Sequence, residues 1–333
     1  MRQAEEEAGR RLLDVLDVHY YSEAYSENNH RVSFDADVSP ETQYTRVQST
    51  RTLWELKYKE NSWIGQWFKQ FLPILPALHK SIDKYYPGTK LSITEYCFGA
   101  ENHISGGIAQ ADALGIFAGN DVYLATLWSL TDKRDYAYSA INLYTNYDGK
   151  GGAFGDILVS SSTDNIEASS VYSSISSKND GKLHIILINR DLNNANNFKI
   201  DIAGDVNYKS ASVYIIDSSS SKIKTEERIK GIENNSLFYK MPPMSIAHLI
   251  LINQDDEPEI EEIKEIETTE TPAVPEKSEN LSNSQESNAD ETIEKPDGGA
   301  SNNVAVIIVI CAIIVCAAAG IVIFIMKKNR TKG

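Results

Sequence analysis

Strand-length apolar segments alternate with helix-length amphipathic segments over the first 150 residues, and this order constrains the fold more than any other feature of the chain. The strand-like segments are Leu12–Tyr21, Lys90–Tyr96 and Asp121–Trp128. Between them, in Ser62–Tyr86 and Ile104–Phe117, apolar residues recur at the spacing of one helix face. Alternating strands and helices predict a parallel sheet covered by helices, because parallel neighbours need a crossover connection.

Side chains that can catalyse a reaction or bind a sugar lie at the ends of the three predicted strands. In a parallel β/α barrel the functional groups lie at the carboxyl ends of the strands. Here those ends carry His19 and Tyr20, then Glu95, then Trp128. Carboxylates beside aromatic rings are typical of a carbohydrate site, because carboxylates act on glycosidic bonds and ring faces stack on sugars. The pattern leaves open that Glu95 caps a helix or pairs with a lysine, and that the others are structural.

Residues 155–252 follow a different pattern, in which short strands are separated by Asn-rich and Ser-rich turns. This pattern predicts an antiparallel β-sandwich. Few aromatic residues accompany it, which favours structural support over independent sugar binding. The strand candidates are Leu183–Asn189, Phe198–Ile202, Ser212–Ile216, Leu237–Lys240 and Ile246–Leu251.

The C-terminal quarter of the chain indicates a membrane anchor. Residues 304–326 contain no charged side chain and are long enough to span a bilayer as a helix. Residues 253–303 are acidic and lack aromatic residues, which is the composition of a disordered linker. Four basic residues lie in the tail 327–333, so the positive-inside rule predicts a single-pass cell-membrane protein with its folded part extracellular and its C-terminus cytoplasmic. No signal-peptide-like segment begins the chain, which leaves the export route open.

Charge and cysteine content exclude other classes of function. The formal net charge is −15, and no basic cluster occurs before the last seven residues, which excludes a nucleic-acid binder. The three cysteines are too scattered for a disulfide framework or a zinc site. No organic cofactor and no catalytic metal are expected. The carboxylates leave a structural calcium conceivable, although no EF-hand-like loop occurs.

Six segments of the chain resemble the C-terminal half of glycoside hydrolase family 44. They are LLDVLDVHYYSEA, TRVQSTRTLW, NSWIGQWFKQFLPIL, YYPGTKLSITEYCFGAENHISGGIAQADALGIF, VYLATLW and AINLYTNYDGKGGAFGD, and the resemblance covers about residues 10–252. That family contains endo-β-1,4-glucanases and xyloglucanases built from a TIM-like barrel and a β-sandwich. The resemblance implies an α/β then all-β chain, with residues 10–150 forming the last strands of a partial TIM-like barrel and residues 155–252 the sandwich.

The resemblance also implies site residues. Glu95 matches the catalytic nucleophile of the family's retaining mechanism. Trp63, Trp67 and Trp128 match aromatic positions lining the substrate cleft, and His19 and Tyr20 lie on a strand end near it. By their spacing alone, Trp63 and Trp67 are more typical of a helix core. The chain departs from the family pattern at Cys97 and Phe98, where an acidic and an aromatic residue are usual, and at residues 129–131, where the family tends to have a glycine-containing turn.

Part of the family's machinery is missing from the sequence. A complete barrel takes about 250 residues, whereas about 150 precede the predicted sandwich. The family's acid/base glutamate lies on an earlier strand in an Asn-Glu context, and no such segment occurs here. Glu23 or Glu101 could substitute, but neither matches it.

The predicted function is that of a retaining glycosidase acting on plant cell-wall β-1,4-glucan or xyloglucan, truncated and lacking its acid/base. The alternative is a noncatalytic, membrane-anchored surface protein that binds polysaccharide. A third possibility is the product of a frameshifted or mis-started gene.

Overall fold

Three parallel strands form the sheet of the first region, in the order β1-β2-β3. The computed structural model describes residues 1–254 except 35, 130 and 179. The strands are β1 (Val15–Tyr21), β2 (Lys90–Cys97) and β3 (Val122–Leu127). The helices are α1 (Arg2–Ala8), α2 (Pro40–Ser49), α3 (Trp63–Trp67), α4 (Ile74–Tyr85), α5 (Ile104–Gly119) and α6 (Asp135–Thr145). The predicted α/β character of this region is confirmed.

The sequence of the helical segment Ser62–Tyr86 predicts a break or kink at Pro73 and Pro76, and the segment is indeed broken near its middle, at Pro73. Helix α3 ends at Trp67, a 3₁₀ turn covers Lys69–Phe71, and α4 begins only after Pro73. Pro73 has an extended backbone, with φ −71° and ψ 154°. A proline lacks the N–H that a helix interior needs and also restricts the residue before it, so the helix cannot continue through this point.

In the described part of the chain, the helices pack against one face of the three-stranded sheet. Leu91, Ile93 and Tyr96 of β2 lie in a buried cluster with residues of α4 and α5. On α5 the contributing residues include the small side chains Ala109 and Ala113, which let the helix pack closely against the strands.

The second region contains a six-stranded and a two-stranded antiparallel sheet. The six-stranded sheet has the order β4-β5-β6-β11-β8-β9, and β10 pairs with β7 in the smaller sheet. One face of the large sheet packs on α5 and α6, and the other on the small sheet. This double cover explains why β6 and β11 are buried along their whole length. The strands are β4 (Ile157–Val159), β5 (Ser169–Ile175), β6 (Leu183–Asn189), β7 (Asn196–Asp201), β8 (Ser210–Asp217), β9 (Ser220–Lys230), β10 (Ser236–Met241) and β11 (Ser245–Ile252).

A buried ionic network joins α5 to the large sheet. Asp112 Oδ1 accepts hydrogen bonds from Arg190 Nη2 at 2.8 Å, the Ser170 hydroxyl at 2.5 Å and the Tyr172 hydroxyl at 2.8 Å. The other carboxylate oxygen accepts a hydrogen bond from the hydroxyl of Thr50. Both charged side chains are almost fully buried, so the network fixes the two regions of the fold against each other in a setting of low dielectric.

In the part of the chain that the structure describes, no helix is long and apolar enough to cross a membrane. The predicted transmembrane helix 304–326 and the tail 327–333 lie outside the described residues, as does the predicted linker 253–303 beyond residue 254. The structure therefore gives no support to the predicted anchor. The predicted domain boundaries stay predictions.

Candidate active site

The side chains of β1 alternate between a covered and an open face. Leu16, Val18 and Tyr20 pack into the cluster beneath the helices, so the intervening Asp17 and His19, and Tyr21 after them, project from the opposite face. Tyr20 is only 7% exposed. Its predicted place in a substrate-binding rim is therefore wrong, because strand alternation turns its ring into the core.

A β-bulge in β2 brings Glu95 onto the same open face. Val18 pairs with Ile93 and His19 with Glu95, so Thr94 is an extra residue with no partner in β1. Pairing with β3 shows the same insertion between Ile93 and Tyr96. Without this residue, Glu95 would share the covered face with Ile93, two positions earlier. Bulges redirect side chains in this way, and they are over-represented next to active sites.

The carboxylate of Glu95 receives contacts from two neighbours on β1. The Tyr21 hydroxyl donates a hydrogen bond to Oε2 at 3.1 Å, and His19 Nδ1 lies 3.0 Å from the same oxygen. Burial, and then the hydrogen bond to Glu95, raise the pKa of Tyr21 above its ordinary value, so this phenol remains a donor at neutral pH. Since the Glu95 side chain is 28% exposed, its carboxylate is both oriented and reachable from solvent.

The alternatives that the sequence left open for this residue are not what the structure shows. Helix α5, which follows β2, is capped by His103. The partners of Glu95 are His19 and Tyr21, and neither is a lysine.

The predicted aromatic positions are exposed. Trp63 is 40%, Trp67 69% and Trp128 52% exposed, so none of the three is a core residue. The indole N–H of Trp63 donates to Glu23 Oε2 at 3.0 Å. Trp128 directly follows β3, where its backbone N–H donates to the carbonyl of Tyr96 at 3.0 Å. The structure thus holds Trp128 beside the end of the strand that carries Glu95.

Two aromatic residues near Glu95 were not identified from the sequence. Tyr21 bonds to Glu95 directly, and the Phe34 ring lies 5.5 Å from the Tyr21 ring. The guanidinium of Arg31 lies over the exposed Phe34 ring at 4.0 Å. Strand alternation, together with the burial of Tyr20, would have favoured Tyr21, but no local pattern indicates Phe34.

The two glutamates considered as substitutes for the acid/base are engaged elsewhere. Glu23 pairs with Arg31 as well as with Trp63. Glu101 is buried, and its carboxylate accepts one hydrogen bond from the Cys97 thiol at 3.1 Å and another from the Ser129 hydroxyl. Burial and the hydrogen bond to Glu101 raise the pKa of the Cys97 thiol to about 12, so Cys97 is a protonated hydrogen-bond donor rather than a nucleophile.

No group of three or more His, Cys, Asp or Glu side chains among the described residues is arranged to hold a metal ion. The structural calcium considered from the composition stays a prediction.

The chain is similar over most of its described length to endoglucanases and a xyloglucanase. It is 45% identical to endoglucanase A of Paenibacillus lautus over 258 residues, which make up 78% of this chain and 37% of that protein. A family 44 xyloglucanase from Paenibacillus polymyxa is 45% identical, with a TM-score of 0.74 over 76% of this chain and 49% of its own. A family 44 endoglucanase from Clostridium thermocellum is 51% identical, with a TM-score of 0.73 over 75% of this chain and 49% of its own. No protein-family profile matches the chain.

The homologues are therefore glycoside hydrolases of family 44, and the predicted relationship to such enzymes is confirmed. The chain spans about half the length of the two solved relatives and about a third of the endoglucanase from Paenibacillus lautus.

Proposed function

We propose that this chain, a homologue of the family 44 glycoside hydrolases, forms the nucleophile-bearing part of an enzyme that cleaves β-1,4-glucan or xyloglucan with retention of configuration. The observation that carries the proposal is the Glu95 carboxylate, which a bulge turns onto an open sheet face, with the exposed Trp128 held beside the end of the same strand. A reachable carboxylate with an exposed indole near its strand end matches the two needs of glycosidic cleavage, which are attack on the anomeric carbon and binding of the sugar rings.

In the proposed reaction the Glu95 carboxylate attacks the anomeric carbon. A bond forms between that carbon and a Glu95 oxygen while the bond to the leaving glycosidic oxygen breaks, and a second carboxyl group protonates the leaving oxygen. The same second group then takes a proton from water, which attacks the glycosyl-enzyme and releases Glu95. Tyr21 and His19 hold one oxygen of Glu95, which fixes the orientation of the carboxylate.

The second carboxyl group, in this proposal, comes from polypeptide beyond this chain. A retaining mechanism needs two carboxyl groups about 5–5.5 Å apart. Glu23 is paired with Arg31, and Glu101 is buried against Cys97 and Ser129, so neither is free for the task. The half-length match to the solved relatives is consistent with an acid/base supplied by the other half.

The proposed substrate is a plant cell-wall glucan. The Paenibacillus polymyxa xyloglucanase has also been solved with xyloglucan. On this chain Trp63, Trp67 and Trp128 offer exposed indole faces, which suit the apolar faces of a β-linked sugar chain.

A second candidate function is noncatalytic binding of polysaccharide by the same surface. The exposed tryptophans favour it, because they could hold a glucan without any second carboxylate.

Covalent labelling by an activated substrate analogue tests the proposal on the chain itself. A 2,4-dinitrophenyl 2-deoxy-2-fluoro-β-cellobioside has a leaving group that departs without a proton, so the missing acid is not needed for the first step. We expect Glu95 to displace dinitrophenolate and to retain the fluorinated cellobiosyl group, which mass spectrometry of the peptide containing Glu95 would locate. Glu95→Gln should remain unlabelled.

The matched control is Glu41→Gln, which removes a carboxylate from the exposed side of α2. This variant should be labelled at the wild-type rate. Failure of the wild-type chain to be labelled, while it still binds cellohexaose, would support the noncatalytic alternative instead.

We propose further that residues 304–326 anchor the protein in the cell membrane, with the folded region outside and the basic tail 327–333 in the cytoplasm. The uncharged, 23-residue length of this segment and the four basic residues after it support the proposal. We expect the expressed chain to sediment with membranes and to be released by detergent but not by high salt. A variant ending at residue 303 should stay in the supernatant, and recovery of the full chain there would contradict the anchor.

A further inference from the structure

Side chains from both neighbouring strands bind the bulge that directs Glu95. The extra residue, Thr94, donates its backbone N–H to Asp17 Oδ1 at 3.1 Å and its hydroxyl to Asp17 Oδ2 at 2.6 Å. From the other side, the hydroxyl of Thr126 on β3 donates to the Thr94 carbonyl. Both backbone groups of the extra residue are thus bound by side chains of the adjacent strands.

These contacts replace the backbone hydrogen bonds that the extra residue of a bulge cannot make within the sheet. An extra residue has no place in the backbone ladder, and its N–H and C=O would otherwise need water or another partner. A carboxylate that accepts from both the N–H and the hydroxyl of Thr94 fixes the bulge at this residue, since Ser92 and Ile93 keep regular partners in β1. Burial of Tyr96 also favours a bulge in this strand. It does not determine how accurately the Glu95 side chain, one residue earlier, is oriented.

The orientation of Glu95 follows directly from the conformation of Thr94. A shift of one residue in register moves every later side chain of a strand to the other face. Even a smaller rotation at Thr94 would move the Glu95 carboxylate out of hydrogen-bond range of the Tyr21 hydroxyl, which is now 3.1 Å away. Asp17 lies on the same open face, but its two oxygens are used on Thr94.

We propose that Asp17 is a positioning residue for Glu95, and that Thr126 is its counterpart on the opposite strand. Together they lock the bulge at Thr94 and thereby set the direction of the Glu95 carboxylate. This inference rests on the proposed role of Glu95 as nucleophile. It assigns a task to two residues whose side chains bind Thr94, the residue before Glu95.

The test compares four variants of the full chain in two measurements. Asp17→Ala removes both acceptors, Asp17→Asn keeps one, and Thr126→Val removes the donor to the Thr94 carbonyl. Asp14→Ala is the matched control, because Asp14 is an exposed aspartate directly before the same strand. The first measurement is the rate of Glu95 labelling by the fluorinated cellobioside. The second is the NMR titration of the Tyr21 phenol, assigned with Tyr21→Phe.

For Asp17→Ala we expect labelling to slow about a hundredfold, the scale reached when a reacting group is misplaced by roughly 1 Å. The Tyr21 titration should move to lower pH, since the hydrogen bond to Glu95 is one of the causes that raise the pKa of Tyr21. Asp17→Asn should show a smaller loss, Thr126→Val a loss in the same direction, and Asp14→Ala neither change.

The proposal is overturned if Asp17→Ala lowers the melting temperature while its labelling rate and the Tyr21 titration stay at wild-type values, because Asp17 would then act only on stability. If the wild-type chain is not labelled at all, the proposed function fails. The Tyr21 titration still decides in that case whether Asp17 positions Glu95.

Discussion

Adding the N-terminal half of a family 44 relative should give this chain glucanase activity. We expect no release of reducing sugar from xyloglucan or β-1,4-glucan by the chain alone. Co-expression with the N-terminal half of the Clostridium thermocellum relative, which is 51% identical over the matched region, should give hydrolysis. In that complex, Glu95→Gln should lower kcat by roughly 10⁴-fold or more, the scale of losing a nucleophile.

The physical basis of this expectation is the pair of open edges of the parallel sheet. Strands β1 and β3 are both edge strands of a three-stranded parallel sheet, and parallel sheets are normally covered on both faces. The added half would pair with these edges and bring the second carboxyl group opposite Glu95. Its control is the Clostridium thermocellum half alone, which lacks Glu95 and should be inactive. A complex that assembles but hydrolyses nothing would contradict the proposed nucleophile, whereas activity retained in the Glu95→Gln complex would assign the nucleophile elsewhere.

The three parallel strands and the place of Glu95 near the end of one of them could be predicted from the sequence, because they depend on local signals. Apolar runs of strand length identify β1, β2 and β3, and functional groups in such folds lie where strands end. The face onto which Glu95 projects could not be predicted in this way. It depends on the bulge at Thr94, which is held by Asp17 and Thr126, and these residues are 77 and 32 positions away from Thr94 in the chain. The sequence likewise indicates Tyr20 and not Tyr21, because the face that the helices cover is known only from the folded chain.

In the second region, the predicted strands correspond to the five that carry clear apolar patterns. Strands β6, β7, β8, β10 and β11 were identified, whereas β4, β5 and β9 were not. Strand β5 (SSVYSSI) is serine-rich, and β9 (SSKIKTEERIK) is charged and mostly exposed. Such strands are fixed by pairing with buried neighbours, and this context decides β-structure more strongly than intrinsic propensity does.

Removing the carboxylate of Asp112 should be among the most destabilising single changes in the fold. We expect Asp112→Ala to lower the free energy of unfolding by about 3–5 kcal/mol, because it leaves a buried Arg190 guanidinium without its counterion. Three hydroxyl donors, those of Thr50, Ser170 and Tyr172, would lose their acceptor as well. Urea denaturation followed by circular dichroism measures the change.

Two comparisons separate the loss of a charge partner from a general effect of mutation. Asp201→Ala breaks an exposed pair with Lys199 of the same 2.8 Å length, together with a hydrogen bond from the Ser236 hydroxyl, and it should cost far less than Asp112→Ala because solvent screens that pair. The double variant Asp112→Leu/Arg190→Met removes both buried charges and should be more stable than Asp112→Ala. If Asp112→Ala costs no more than Asp201→Ala, the buried pair does not hold α5 against the large sheet. Since β2 is packed beneath α5, a loosened α5 would also loosen the strand that presents Glu95.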